Sequence, residues 1–158
     1  MGNSALIPGK GTKELRKGRF SGRNQIYHIS TVTVDREPVF ETLLFARIVI
    51  QSMRREDHAG HTETLAFVLM PNHLHWLLQL RSERSLSGCT NTVKSFATRM
   101  INGISGRQGR LWQKGFYDRA IRREEDLVSI ARYIVANPVR AGLVKTIRYY
   151  SHWDAVWL

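Results

Sequence analysis

The sequence predicts an α+β fold, a single-domain sandwich in which helices pack on a mostly antiparallel sheet in the order βαββαβα. Three observations predict it. The length of 158 residues suits one ordinary domain, no repeat, low-complexity tract or Pro-rich linker divides the chain, and strand-like segments alternate with segments of helical period. Residues 25–158 are therefore expected to form one domain, preceded by a basic, Gly-rich arm over residues 1–24.

The first half of the domain is predicted to contain three strands and one helix. Residues 25–34 are rich in β-branched and aromatic side chains, which favours a strand. Residues 39–53 place apolar side chains at helical spacing. Residues 64–70 and 73–80 are further strand-like runs joined only by a short Pro-Asn link, so we expect them to pair as an antiparallel hairpin.

The second half is predicted to contain a helix, one or two short strands and a last helix. Apolar residues recur at helical spacing over residues 90–104, and glycines follow at the end. Residues 109–121 contain aromatic and β-branched side chains suited to short strands. The last helix is expected to begin near Arg123, and to end before Pro138 because the residue preceding a proline is disfavoured in the α conformation.

Composition excludes several classes of protein. Hydrophobic residues make up 42% of the chain, which is too many for a disordered or fibrous protein. The single cysteine, Cys89, excludes a disulfide scaffold and a cysteine-based zinc site, and it suits a reducing compartment. No apolar run approaches a membrane span, and the first residues contain no secretory apolar region. We therefore expect a soluble cytoplasmic protein, associated with the nucleoid and with no membrane partner.

The charge is strongly basic, with 24 Lys plus Arg against 13 Asp plus Glu and a net charge of +11. The excess is concentrated in residues 1–24, 107–123 and 132–148. A polyanion is the first partner to consider, because neutralised phosphates release counterions, and the alternative is a solvated basic surface without a ligand. The candidate nucleic-acid contacts are Arg107, Arg110, Lys114, Arg119, Arg122, Arg123 and Arg140.

Two constellations of side chains suit chemistry. His73 and His75 are two apart in a predicted strand, so both imidazoles leave the same face and can reach one metal ion. The opposite face, which carries Leu74, Trp76, Leu78 and Leu80, is expected to lie on the core. Tyr133 and Asn137 lie one turn apart at the edge of the last helix and can share one site. The alternatives are half-buried histidines satisfied by their neighbours and a tyrosine that only packs at a core boundary.

Next to a polyanion, the two constellations permit one reaction. Two imidazoles and an amide oxygen can hold Mg²⁺ or Mn²⁺ and leave open positions for phosphate oxygens. The ion would stabilise the charge that develops on a phosphodiester under attack. A tyrosine hydroxyl becomes a plausible nucleophile when the metal and nearby guanidinium groups favour its anion.

Three segments carry a resemblance to a known family. The segment LMPNHLHWLLQL resembles the His-hydrophobic-His strand of the HUH endonucleases. The segments LWQKGFYDRAIRREEDL and ARYIVANPVRAGLV are similar to the signature of single-tyrosine transposases related to IS200, and most of all to the REP-associated tyrosine transposases. The resemblance runs from about Gln25 to the terminal SHWDAVWL, which is nearly the whole chain.

The resemblance implies a ferredoxin-like core and assigns roles to four residues. Tyr133 would be the nucleophile, His73 and His75 the metal-binding pair, and Asn137 the polar residue that completes the metal site. The implied activity is cleavage and rejoining of single-stranded, hairpin-forming repeat DNA through a 5′-phosphotyrosine, by a monomer or a homodimer. Trp112 could stack on unpaired bases but is expected to belong to the core.

Two other functions stay open. The first is a DNA-hairpin-binding regulator with the same fold that does not cut. The second is a metal-binding structural domain unrelated to DNA, which the charge of +11 disfavours. Tyr117, Tyr149 and Tyr150 are rival nucleophiles, but none of them has an amide one helical turn away on a predicted helix.

Overall fold

The computed structural model describes residues 22–122 and 125–158. The expected N-terminal arm over residues 1–24 therefore lies almost entirely outside the described residues, and Arg123 lies outside them as well.

The described residues form a five-stranded antiparallel sheet, which confirms the predicted α+β class. The strand order is β4-β1-β3-β2-β5, with every neighbouring pair antiparallel. The strands are β1 (Ile26–Val32), β2 (Thr62–Met70), β3 (His73–Leu80), β4 (Tyr117–Ala120) and β5 (Trp153–Ala155). The edge strand β5 was not predicted, because a three-residue strand is too short to show an alternating pattern.

Helices cover both faces of the sheet. Within the described residues they are α1 (Leu43–His58), α2 (Leu86–Ser105), α3 (Leu127–Val135) and α4 (Asn137–Arg140). The prediction that the first helix spans residues 39–53 was wrong at both ends, because Val39–Glu41 form a separate 3-10 turn and the helix continues to His58. α2 begins before the predicted residue 90, because the Ser85 side chain caps it by accepting from the Gly88 amide.

The last predicted helix differs most from the structure. It begins at Leu127 instead of near Arg123, because the Asp126 side chain caps it by accepting from the amides of Val128 and Ser129. It ends at Val135, before Pro138 as predicted. The residue that precedes the proline is nevertheless helical, because the short helix α4 follows with Pro138 in its first turn. Asn137 therefore begins a new helix instead of ending the helix that carries Tyr133.

The two faces of β3 belong to two separate cores. Leu74, Trp76 and Leu78 are fully buried on the face that packs against α1 and α2, as the alternation in residues 73–80 predicts. His73, His75 and Leu77 leave the opposite face, which α3 and α4 cover. None of the helices in the described ranges is long and apolar enough to cross a membrane.

Candidate active site

His73 and His75 lie side by side at the start of β3. Their ring centroids are 5.1 Å apart, with the ring planes nearly perpendicular. His75 is opposite Ser30 of β1 and Val68 of β2, so it lies in the middle of the sheet and is only 3% exposed. The structure therefore places both predicted imidazoles on one face and buries one of them almost completely.

A third histidine, His28 of β1, contacts His75 and was not predicted. Its Nε2 lies 3.1 Å from Nδ1 of His75, and the two ring centroids are 5.2 Å apart. Alternation along β1 puts Tyr27 and Ile29 in the opposite core, so His28 faces the same side as His75. Only the pairing of β1 with β3 brings these two rings together, and the sequence pattern carries no signal for that pairing.

In both His73 and His75, Nδ1 has a hydrogen-bond partner. Nδ1 of His73 lies 2.7 Å from Oδ1 of Asn72, the residue that precedes it in the turn between β2 and β3. An amide oxygen only accepts, so Nδ1 carries the proton and Nε2 of His73 keeps a lone pair. Nε2 of His75 is buried and has no hydrogen-bond partner in the described part of the chain.

Burial makes these imidazoles difficult to protonate. It lowers the pKa of His28 and of His73 to about 4, with Arg36 adding to the effect at His73. It lowers the pKa of His75 well below its usual value, and His28, His73 and Arg140 add to the effect. All three rings are therefore neutral near pH 7, and the neutral imidazole is the form that binds metal ions.

Tyr133 and Arg140 form a compact pair at the junction of α3 and α4. The Cζ atom of Arg140 lies 4.0 Å from the centroid of the Tyr133 ring, which is a cation–π contact. Nη1 of Arg140 also donates to the backbone carbonyl of Tyr133 at 2.7 Å. Tyr133 is 50% exposed, so the ring is accessible from outside while one arginine holds it at two points.

Asn137 is buried at the start of α4, which packs on β2. Its Nδ2 donates to the carbonyl of Ile134 at 2.8 Å. In a continuous helix that carbonyl would accept from the amide of residue 138, but Pro138 has no N–H. The side chain of Asn137 therefore replaces the missing backbone bond, and this leaves Oδ1 as its only atom able to bind a cation.

The donor set fits a divalent ion only in part. Within residues 22–122 and 125–158, no three His, Cys, Asp or Glu side chains are grouped so that they could hold a metal. Two neutral imidazoles with free or unpartnered Nε2 atoms and one buried amide oxygen are the protein ligands that this face offers. The unpartnered Nε2 of His75 is the observation that fits, because a buried polar nitrogen costs free energy unless a partner satisfies it.

The predicted DNA-contacting residues are in different situations. Arg107 donates twice to Glu37 at 2.9 Å, and Arg119 is paired with Glu125 at 2.5 Å, so both are engaged within the chain. Arg119 is exposed despite its ion pair, and so are Arg110, Lys114, Arg122 and Arg140. Arg140 is the one of these that contacts Tyr133.

Arg110 and Lys114 line a groove of about 510 Å³ between α2 and the segment 110–115. Lys94 of α2 shapes this groove, because its Nζ donates to the carbonyls of Gln113 and Gly115 at 3.0 and 2.7 Å. Trp112 is 3% exposed and packs beside Phe40, so it belongs to the core, as expected.

The rival tyrosines are placed differently from Tyr133. Tyr150 donates its hydroxyl to the Leu69 carbonyl at 2.5 Å, and burial raises its pKa to about 12. Tyr149 is 80% exposed on a 3-10 turn. Tyr117 lies opposite Ser30 in β4, so it shares the sheet face of His75 at a distance of two strand spacings, roughly 10 Å. Tyr117 is therefore the rival that an experiment has to control for.

Comparison with known proteins connects this geometry to a family. Residues 21–137 match the family described as transposase, IS200 like. Over 100 residues the chain is 29% identical to a REP-associated tyrosine transposase of Haemophilus influenzae, an alignment that covers 57% of this chain and 57% of that relative. The chain thus spans little more than half the length of that relative.

Two solved structures share the fold. The structure of a REP-associated tyrosine transposase bound to a REP hairpin matches with a TM-score of 0.73 at 20% identity, covering 85% of this chain and 79% of that one. The crystal structure of a protein from Deinococcus radiodurans described as a transposase matches with a TM-score of 0.55 at 22% identity, covering 75% of this chain and 95% of that one. At these identities the likeness establishes the fold alone.

Proposed function

The chain belongs to the IS200-like transposase family, and from this we propose that it cuts and rejoins hairpin-forming single-stranded DNA with Tyr133 as nucleophile and a divalent metal as cofactor. The observation that carries the proposal is the buried, unpartnered Nε2 of His75 beside His73, on the sheet face that the helix of Tyr133 covers. Arg140 links the two halves of the site, because it stacks on Tyr133 and its charge reaches His75.

The proposed reaction is a transesterification at phosphorus. The phenolic oxygen of Tyr133 forms a bond to phosphorus while the bond from phosphorus to the 3′ oxygen breaks. The phenolic proton is lost to solvent, and the departing oxygen takes up a proton to become a free 3′-OH. The 5′-phosphotyrosine ester keeps the energy of the broken bond, so attack by another 3′-OH rejoins DNA without a nucleotide cofactor.

The residues around Tyr133 have separate tasks in this reaction. Arg140 holds the tyrosine ring and the backbone beneath it, and its guanidinium places positive charge where the phosphate must approach. His73 and His75, through their Nε2 atoms, and Asn137, through Oδ1, are the groups that would hold Mg²⁺ or Mn²⁺. When bound there, the ion supplies charge stabilisation for the phosphate oxygens.

Hairpin DNA is the proposed substrate on two grounds. The structural relative with the same fold was solved with a REP hairpin bound. This chain carries a net charge of +11, and Arg110, Lys114 and Arg122 are exposed and able to contact backbone phosphates. Phosphate contacts of this kind hold the strand in register without reading its sequence.

The test uses a labelled hairpin with a single-stranded flank, incubated with the full chain and Mn²⁺. We expect an adduct that survives denaturation, and we expect EDTA to abolish it. Tyr133→Phe should form no adduct and should still bind the hairpin, whereas the matched control Tyr117→Phe should form the adduct normally. An adduct in Tyr133→Phe, or its loss in Tyr117→Phe alone, would show that the wrong tyrosine has been assigned.

A hairpin-binding protein that does not cut is the second candidate function. It is favoured because residues 22–122 and 125–158 contain no group of three His, Cys, Asp or Glu side chains that could hold a metal ion. This candidate predicts equal hairpin affinity with Mn²⁺ and with EDTA, and no cleavage of any hairpin strand in either condition.

A further inference from the structure

His28 contacts one member of the predicted metal-binding pair without being an expected ligand itself. It lies in the middle of β1, opposite Leu77 and diagonal to His75 on the neighbouring strand. Its Nε2 is 3.1 Å from Nδ1 of His75. In a hydrogen bond between two neutral imidazoles, one ring nitrogen must carry the hydrogen and the other must accept it. The direction of this bond therefore depends on the tautomers of the two rings.

The single hydrogen in this bond decides what His75 presents to the site. If Nδ1 of His75 donates to His28, then Nε2 of His75 carries a lone pair. If His28 donates instead, the hydrogen of His75 moves to Nε2, and a buried N–H faces the site with no partner in the described residues. Only the first arrangement lets His75 bind a cation.

The neighbouring imidazole is held in the same way. Nδ1 of His73 donates to Oδ1 of Asn72 at 2.7 Å, which leaves its Nε2 with the lone pair. Two adjacent rings, 5.1 Å apart, therefore have a side-chain partner at Nδ1 and, within residues 22–122 and 125–158, none at Nε2. A partner on the far nitrogen fixes the tautomer and the ring orientation of a metal-binding histidine.

We propose that His28 is a positioning residue that accepts a hydrogen bond from Nδ1 of His75 and so holds the Nε2 lone pair of His75 toward a divalent cation. The inference rests on the proposed function, because it presumes that His73 and His75 bind metal. It adds a residue that acts on the cation only through His75.

His28 has a neighbour on each of the two adjoining strands, His75 on β3 and Arg119 on β4. In the antiparallel pairing of β1 and β4, Arg119 lies opposite His28 on the same sheet face. Arg119 in turn is paired with Glu125 at 2.5 Å. Arg119 is therefore engaged with Glu125, and the side-chain hydrogen bond that His28 makes among the described residues is the one to His75.

The first experiment titrates Mn²⁺ into the full chain by calorimetry, without DNA. His28→Leu should weaken Mn²⁺ binding by about 10–100-fold, and His28→Gln, which restores an acceptor near the position of Nε2, should recover it to within a few-fold. The matched control Ser30→Ala changes the residue directly opposite His75 without touching Nδ1, so it should bind Mn²⁺ as the wild type does.

Cleavage and hairpin binding supply a second readout. Raising Mn²⁺ should restore the cleavage rate of His28→Leu, while hairpin affinity measured in EDTA should stay at the wild-type value. Undiminished Mn²⁺ affinity in His28→Leu, or failure of His28→Gln to recover it, overturns the inference. If wild-type protein binds Mn²⁺ but cuts no hairpin, the proposed function fails and the titrations still decide the role of His28.

A measurement on the wild-type chain removes any dependence on the folding of variants. The ¹⁵N chemical shifts of the His75 ring distinguish the two neutral tautomers. We expect the hydrogen on Nδ1 in the protein without metal. A hydrogen on Nε2 would overturn the proposed role of His28.

Discussion

The pair formed by Arg140 and Tyr133 leads to the most detailed prediction. Replacing Arg140 by Ala removes a guanidinium that lies 4.0 Å from the tyrosine ring and donates to the tyrosine carbonyl at 2.7 Å. A cation–π contact at a half-exposed site stabilises by about 0.5–1 kcal/mol, and the net contribution of the hydrogen bond is about 0.5–1.5 kcal/mol. Arg140→Ala should therefore destabilise the fold by about 1–2.5 kcal/mol.

The assay is thermal and urea unfolding of the wild type and five variants, namely Arg140→Ala, Tyr133→Ala, Tyr133→Phe and the two double variants that combine Arg140→Ala with each tyrosine change. For a domain of this size each kcal/mol lowers Tm by about 2–4 °C, so Arg140→Ala should lower it by roughly 2–10 °C. A double-mutant cycle with Tyr133→Ala isolates the ring contact, because the backbone carbonyl is present in both backgrounds. The coupling should be about 0.5–1 kcal/mol. Tyr133→Phe keeps the ring, so Arg140→Ala should cost as much in that background as in the wild type.

Activity gives an independent reading of the same contact. Without the Arg140 guanidinium the Tyr133 ring can move, and a misplacement of a reacting group by about 1 Å can reduce a reaction rate roughly 100-fold. The rate of DNA cleavage by Arg140→Ala should therefore fall by about 10–100-fold. Arg140→Lys keeps the charge without the planar stack and should recover only part of the rate. A coupling energy near zero, or a wild-type cleavage rate in Arg140→Ala, would refute the proposal that Arg140 positions Tyr133.

Three further predictions concern DNA contact, subunit arrangement and the buried thiol. Arg110→Ala and Lys114→Ala should each reduce the slope of log affinity against log salt by about 0.7–0.9 if each side chain contacts one phosphate; unchanged slopes would place the hairpin elsewhere. Because α3 packs on the sheet of its own chain, mixing Tyr133→Phe with His75→Ala should restore no cleavage, and restored adduct formation would require exchange of α3 between two chains. Burial raises the pKa of Cys89 to about 12 from its ordinary 9.0, so native protein should resist a thiol reagent at neutral pH. Because the thiol ionises more easily in the unfolded chain, its contribution to the free energy of unfolding is present below pH 9 and is lost as the pH rises from 9 to 12.

Much of the local structure could be predicted from the sequence. Alternation in residues 73–80 correctly assigned Leu74, Trp76 and Leu78 to one core and the two histidines to the other face. The helical period found α2 and the body of α3 because long periodic segments bury one stripe. Helix ends were less accurate, because a single capping side chain such as Asp126 moves a boundary by several residues.

The candidate site was predictable only in its separate parts. The face that His73 and His75 share follows from a strand period of two, and the turn that separates Tyr133 from Asn137 follows from the helical period. The end of this helix before Pro138 was predicted, but the short helix α4 that follows was not. The missing N–H of Pro138 leaves the Ile134 carbonyl to the side chain of Asn137, which a local period does not show.

By itself, the sequence determined the fold class, the basic charge and the residue types that suit phosphodiester chemistry, because composition and period depend on near neighbours. Only the tertiary structure decided which of these residues contact one another. It placed β1 beside β3, so that His28 bonds His75 across 47 positions of the chain, and it paired Arg107 with Glu37 across 70. The physical reason is that strand order and ion pairing are set by long-range packing, which no local period records.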